Sequence, residues 1–144
     1  MLPIHILLIE DSLGDVMLIK EAIEDGNIAH SLDIVNDGWE GVQFLERKGI
    51  YKDKKLPDLI LLDINMPKLN GHDVLDKIKN NDEIKHIPVI ILTTSSAEKD
   101  ILKAYQKHSN CYIVKPIEYN DFERIIKSIE TFWTSIAKLP HQLK

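Results

Sequence analysis

Three stretches of the chain, 4–10, 59–63 and 89–93, are short and almost unbroken apolar runs. The first and third are rich in β-branched residues, and each closes on a polar side chain: Glu10, Asp63 and Thr93. Runs of this length and composition predict strands covered on both faces. Residues 32–35 and 111–115 are shorter, mixed runs and are predicted as two further strands. Between the runs the apolar positions change to helical spacing. Val16, Ile19, Lys20 and Ile23 continue a face that starts near Leu13. Val42, Leu45 and Glu46 follow Trp39, and Val74, Leu75 and Ile78 form another stripe. The longest stripe is the last, with Phe122, Ile125, Ile126, Ile129, Trp133 and Ile136 at i, i+3, i+4, i+7, i+11 and i+14.

Polar punctuation agrees with this order. Asp37, Ser95 and Asn120 each stand three residues before a carboxylate, a capping pattern that predicts helix starts. Gly26 and Gly49 are predicted helix stops. The β-α alternation repeats five times, which predicts an α/β fold: a doubly wound parallel sheet, strand order 2-1-3-4-5, with helices on both faces.

Composition narrows the picture. A chain of 144 residues that is 44% hydrophobic suits a single domain with its own core. One domain is expected over 1–144, with a core of about 3–136 and a short tail, 137–144. Cys111 is the only cysteine, which excludes an intrachain disulfide and a cysteine-based zinc site. It begins a strand and is expected to be a small core residue. The six histidines are scattered and do not suggest a metal site, and Trp39 and Trp133 are read as packing residues. No apolar run approaches the ~20 residues of a membrane span. No secretory signal is evident, so a reducing cytoplasm is the expected location. A net charge of −5, with Arg47 and Arg124 as the only arginines, argues against a nucleic-acid surface.

Open α/β sheets carry their ligands at the carboxyl ends of the strands. There the predicted order gathers Glu10 and Asp11, Asp63, Thr93, and Lys115. Taken singly each has an ordinary reading. A strand-terminal Asp often caps a turn or helix, and Ser12 with Asp15 competes with Asp11 to cap the first helix. Their coincidence at one rim is what points to chemistry. Three crowded carboxylates cannot all ionise near neutrality unless a cation or raised pKa values relieve them. Mg2+, which binds through one or two carboxylates and leaves room for a phosphoryl oxygen, fits that need. Lys115 and Thr93 would meet the remaining phosphoryl oxygens, and Asp63 can act as nucleophile to form an acyl phosphate. The acidic first turn, without any glycine-rich fingerprint, counts against a flavin or dinucleotide.

Ile9-Glu10-Asp11, Leu61-Leu62-Asp63-Ile64-Asn65-Met66-Pro67 through Gly71, Leu92-Thr93-Thr94 and Tyr112-Ile113-Val114-Lys115-Pro116 together resemble the receiver domain of two-component response regulators. The likeness spans about residues 3–136. The opening 10–15, Asn110-Cys111-Tyr112 and the ending 132–140 are further similar to stand-alone receivers associated with bacterial phytochrome kinases. The resemblance implies a flavodoxin-like fold and phosphorylation of Asp63 by a sensor histidine kinase. It implies that Asp11, Asp63 and the backbone carbonyl of Asn65 hold Mg2+, with Glu10 acting through water. Thr93 and Tyr112 would form a switch pair in which the ring turns inward. The Lys115–Pro116 bond is expected to be cis. Thr94 stands where the family usually has Ala or Gly, and is expected to narrow water access and slow dephosphorylation.

With the receiver-like pattern filling the chain, the expected output is a binding event. It is assigned to the face of the fourth helix, fifth strand and last helix, toward a downstream protein or a second copy. Two alternatives stand beside the switch. One is a small phosphohydrolase of the haloacid-dehalogenase type, which would want a second carboxylate where Asn65 stands. The other is a constitutive dimeric interaction module.

Overall fold

A computed structural model describes residues 4–25 and 30–140. Strands β1 (Ile4–Ile9), β2 (His30–Val35), β3 (Leu59–Leu62), β4 (Val89–Thr93) and β5 (Cys111–Val114) form one parallel sheet in the order β2-β1-β3-β4-β5. Helices α1 (Leu13–Glu24), α2 (Gly38–Leu45), α3 (Gly71–Lys79), α4 (Glu98–Gln106) and α5 (Tyr119–Thr131) alternate with the strands. This is the flavodoxin-like arrangement expected from the alternation. The register aligns the strand ends: Ile9 sits beside both Val35 and Leu62, and Thr93 beside Val114.

Side chains on alternate faces of the sheet feed two cores. Leu7, Ile9, Ile60, Leu62 and Ile91 pack with residues of α2 and α3 and with Ala104 of α4. Ile6, Leu8, Leu59, Leu61 and Leu92 pack with α1 and α5. Burial on both faces explains why these strands read as continuous apolar runs.

Local signals succeed where the backbone is free to use them. Ser12 caps α1 by accepting the Asp15 N–H, and Asp37 caps α2 by accepting the Glu40 N–H. The other two predicted caps differ. α4 begins after Ala97 and α5 after Glu118, neither with a side-chain cap. Ser95 is drawn to Asp100 instead, and Asn120 already lies inside the first turn of α5. α2 ends before Gly49, with Arg47 adopting the left-handed conformation, and Gly49 opens a 3-10 turn. Gly26 lies outside the described residues. The last stripe holds through Phe122, Ile126 and Ile129, which are buried, but Ile136 is 67% exposed. A π-helical turn, Phe132–Ile136, breaks the 3.6-residue phase there. Trp39 is half exposed rather than a packing residue, and Cys111 is only partly buried. Among the described residues no helix is long and apolar enough to cross a membrane.

Candidate functional site

Strand pairing continues one rung beyond the strand ends. The Glu10 N–H donates to the Val35 carbonyl (3.1 Å), the Asp63 N–H to the Ile9 carbonyl (3.1 Å) and the Lys115 N–H to the Thr93 carbonyl (2.7 Å). Each of these polar residues is therefore held by backbone before the chain turns away. Behind Asp63 the start of α3 comes very close: a Cβ on Gly71 would stand 2.7 Å from Ile64 Cα and against the Asp63 carbonyl. Only glycine permits that approach.

The rungs bring Glu10, Asp11 and Asp63 together, with one carboxylate oxygen of each within 4.8 Å of the others. Glu10 and Asp63 are buried while Asp11 is exposed, so the cluster opens to solvent on one side. Lys115, buried, faces it. Its Nζ pairs with Glu10, reaches Asp15 Oδ2 at 2.8 Å and stands 3.5 Å from Asp63 Oδ2. The Asp63 Oδ1 accepts the Ile64 N–H at 2.7 Å, and Glu10 Oε2 accepts the Ser12 N–H at 3.2 Å. Thr93 is fully buried at the end of β4, and Thr94 beside it is exposed. Asn65 lies exposed on the loop that leaves Asp63.

Glu10, Asp15 and Asp63 thus share one ammonium, with Asp11 beside them, and the protonation states follow. Burial, helped by the neighbouring Asp63, pushes the Glu10 carboxyl up to about 8 from an ordinary 4.5. Burial works against the charged form of Lys115, but its hydrogen bonds to Asp15 and Glu10 and the charge of Asp63 outweigh it and raise its pKa. Lys115 stays cationic while the acids are under-neutralised. A hard divalent cation fits this donor set, with the three clustered carboxylates as its holders.

Sequence reasoning missed part of the surroundings. Asp15, read as a capping competitor, is also a partner of Lys115, because the first turn of α1 carries its side chain back over the pocket. His72, passed over as scattered, is buried and pairs with Asp100 at 3.1 Å. No periodic signal marks either contact. Tyr112 is half-buried against the core, and its hydroxyl donates to the Ser95 carbonyl at 2.9 Å. The Lys115–Pro116 bond, expected cis, is trans like every other peptide bond among the described residues. The trans form is the intrinsic preference of X-Pro bonds by roughly 0.5–1 kcal/mol.

Residues 6–129 match the family model of the response regulator receiver domain. The chain belongs to that family. It is 42% identical over 138 residues to the response regulator Rcp1 of Synechocystis sp., covering 96% of this chain and 94% of that protein. It superposes on the crystal structure of the phosphorylated cyanobacterial phytochrome response regulator RcpA with a TM-score of 0.94, covering 96% of this chain and 99% of that one, at 42% identity. The Mn2+-bound form of Rcp1 gives a TM-score of 0.93 at the same identity and coverage. The receiver is thus homologous to phytochrome-associated regulators of two-component signalling, and its acidic cluster agrees with the divalent-metal binding of receiver domains. Membership decides between receiver and phosphohydrolase in favour of the receiver.

Proposed function

We propose that Asp63 accepts a phosphoryl group from a sensor histidine kinase, of phytochrome type, with Mg2+ as the cation. A single observation carries this reading: Lys115 and the Glu10, Asp11 and Asp63 carboxylates converge on one rim of the sheet. Asp11, Asp63 and the Asn65 carbonyl would hold the ion, with Glu10 acting through water. The bound ion would neutralise charge on the phosphoryl oxygens. A carboxylate oxygen of Asp63 attacks phosphorus as the bond to the donor breaks, and the electron pair leaves with the donor. The Lys115 ammonium, kept protonated by its acidic neighbours, exchanges part of its contact with them for a phosphoryl oxygen. The Thr93 hydroxyl serves another. The protein assists its own phosphorylation and dephosphorylation and is not a turnover enzyme. Intact mass after incubation with acetyl phosphate and Mg2+ tests this: one phosphate adduct is expected, and none in Asp63→Asn. Undiminished labelling of that variant would refute the assignment.

The output surface in this reading is the face of α4, β5 and α5. Leu102 and Tyr105 of α4 and Val114 of β5 are exposed, as are Phe132 and Ile136 on the π-helical turn that follows α5. A groove of about 520 Å³ lies alongside, lined by Cys111, Ile113, Ile125, Ile129, Phe132 and Trp133. Exposed apolar area of this kind suits a downstream protein or a second copy. Thr93 and Tyr112 couple it to Asp63. Sedimentation with and without beryllofluoride distinguishes a switch, whose association changes, from a constitutive dimer, whose association does not. The single-cysteine composition supports work in a reducing cytoplasm.

A further inference from the structure

A hydrogen-bonded chain outside the acidic pocket runs from α3 to the switch tyrosine. His72, the second residue of α3, is buried. Its Nε2 lies 3.1 Å from Asp100 Oδ1, while its Nδ1 has no partner among the described residues. Asp100 stands in the first turn of α4, and its other oxygen accepts the Ser95 hydroxyl at 2.6 Å. These two hydrogen bonds, first Ser95 and then His72, hold the Asp100 carboxyl below its ordinary range, so it is an anion. Ser95 then meets both switch residues. Its carbonyl accepts the Tyr112 hydroxyl at 2.9 Å, and its amide donates to Thr93 Oγ1 at 3.4 Å. α4 has no side-chain cap of its own, so Asp100 fastens its start to α3. α3 in turn rests through Gly71 on the backbone of Asp63 and Ile64.

We propose that His72 and Asp100 are positioning residues that hold Ser95 where its carbonyl receives the inward Tyr112 ring and its amide orients the Thr93 hydroxyl. The proposal rests on the receiver-switch reading above. Without the brace, Ser95 hangs on a loop and the tyrosine loses a fixed acceptor. The response to a phosphoryl group then weakens although no residue touching that group has changed.

The test labels the full chain with fluorotyrosine, assigns Tyr112 by Tyr112→Phe, and titrates with beryllofluoride and Mg2+ while following fluorine NMR. His72→Leu, Asp100→Ala and Ser95→Ala should each move the Tyr112 resonance toward the solvent-exposed position. Each should raise the beryllofluoride concentration for half-conversion about tenfold, as for loss of one hydrogen bond to a charged group. His72→Gln, whose side-chain NH2 can replace the Nε2–H, should stay within about twofold of wild type. Leu performing as well as Gln would mean that His72 only packs, and would overturn the proposal. Ser95 lies on a loop and Asp100 is partly exposed, so these two variants report even if His72→Leu fails to fold. Wild-type behaviour in both would also overturn it. A wild type that never responds refutes the receiver-switch reading and the brace together, whereas a responsive wild type matched by its variants refutes the brace alone.

Discussion

The pocket at the carboxyl ends of β1, β3 and β5 and the face of α4, β5 and α5 depart from an ordinary fold in opposite ways. The pocket buries what water would rather keep: Glu10, Asp63 and Lys115 are each no more than 7% exposed. The face exposes what water would rather expel, with Leu102 and Ile136 at 60% and 67%. Charge without enough countercharge makes the first region responsive to a cation or a phosphoryl group. In the proposed reading, unburied apolar area makes the second responsive to a partner. Local violations of folding rules are where function is expected. In the proposed reading the two are linked by a short route through Thr93, Ser95 and Tyr112, whose hydrogen bonds join the three residues.

The contrast can be broken most strongly at Lys115. Lys115→Met removes the ammonium that Glu10, Asp15 and Asp63 share, and should cost about 3 kcal/mol in urea unfolding without divalent ions. Saturating Mg2+ should restore part of that. A cost below about 1 kcal/mol would mean that the pocket is not electrostatically stressed.

The pH dependence comes next. The unfolded chain releases the Glu10 proton near 4.5, the folded protein near 8. The unfolded state therefore binds fewer protons between those values. Stability from the neutral Glu10 is complete below 4.5 and drains away as pH rises to 8. Glu10→Gln should flatten this decline in metal-free urea melts. In the wild type near pH 7, Mg2+ uptake should release protons, read as buffer-dependent heat in calorimetry; a buffer-independent heat would contradict the raised pKa.

The exposed face should behave in the reverse manner. Phe132→Ser and Ile136→Ser should change stability by no more than about 0.5 kcal/mol, yet weaken association in sedimentation with beryllofluoride. Smallest of all is the effect of Thr94, exposed next to Thr93. Thr94→Ala should speed dephosphorylation by a few-fold (about 1 kcal/mol in barrier), followed by decay of the phosphate adduct. Equal rates would remove any gating role for Thr94.

Sequence carried much of this because strands buried on both faces must be apolar throughout, and because polar residues can follow them only at the rim. The runs at 59–62 and 89–93 therefore announced both the sheet and the positions of Asp63 and Thr93. Ser12 and Asp37 were readable as caps because a cap is satisfied within one turn. Ser95 was not, since its hydroxyl donates to the Asp100 side chain and accepts only the Ala97 N–H, short of the first helical turn. The stripe of α5 was readable up to the π-helical turn, where Ile136 swings out of phase.

Long-range pairing lay beyond any such local rule. Asp15 and Lys115 are 100 residues apart, and His72 and Asp100 are 28 apart. Nothing in either segment marks its partner. The order of apolar and polar residues along the chain determined the element types, the sheet and the residues at its rim, because those depend on burial and on contacts within a turn. Which carboxylates share the ammonium, which histidine is buried and what Ser95 holds were decided only by the tertiary structure, since they depend on distances between segments that the chain order leaves free.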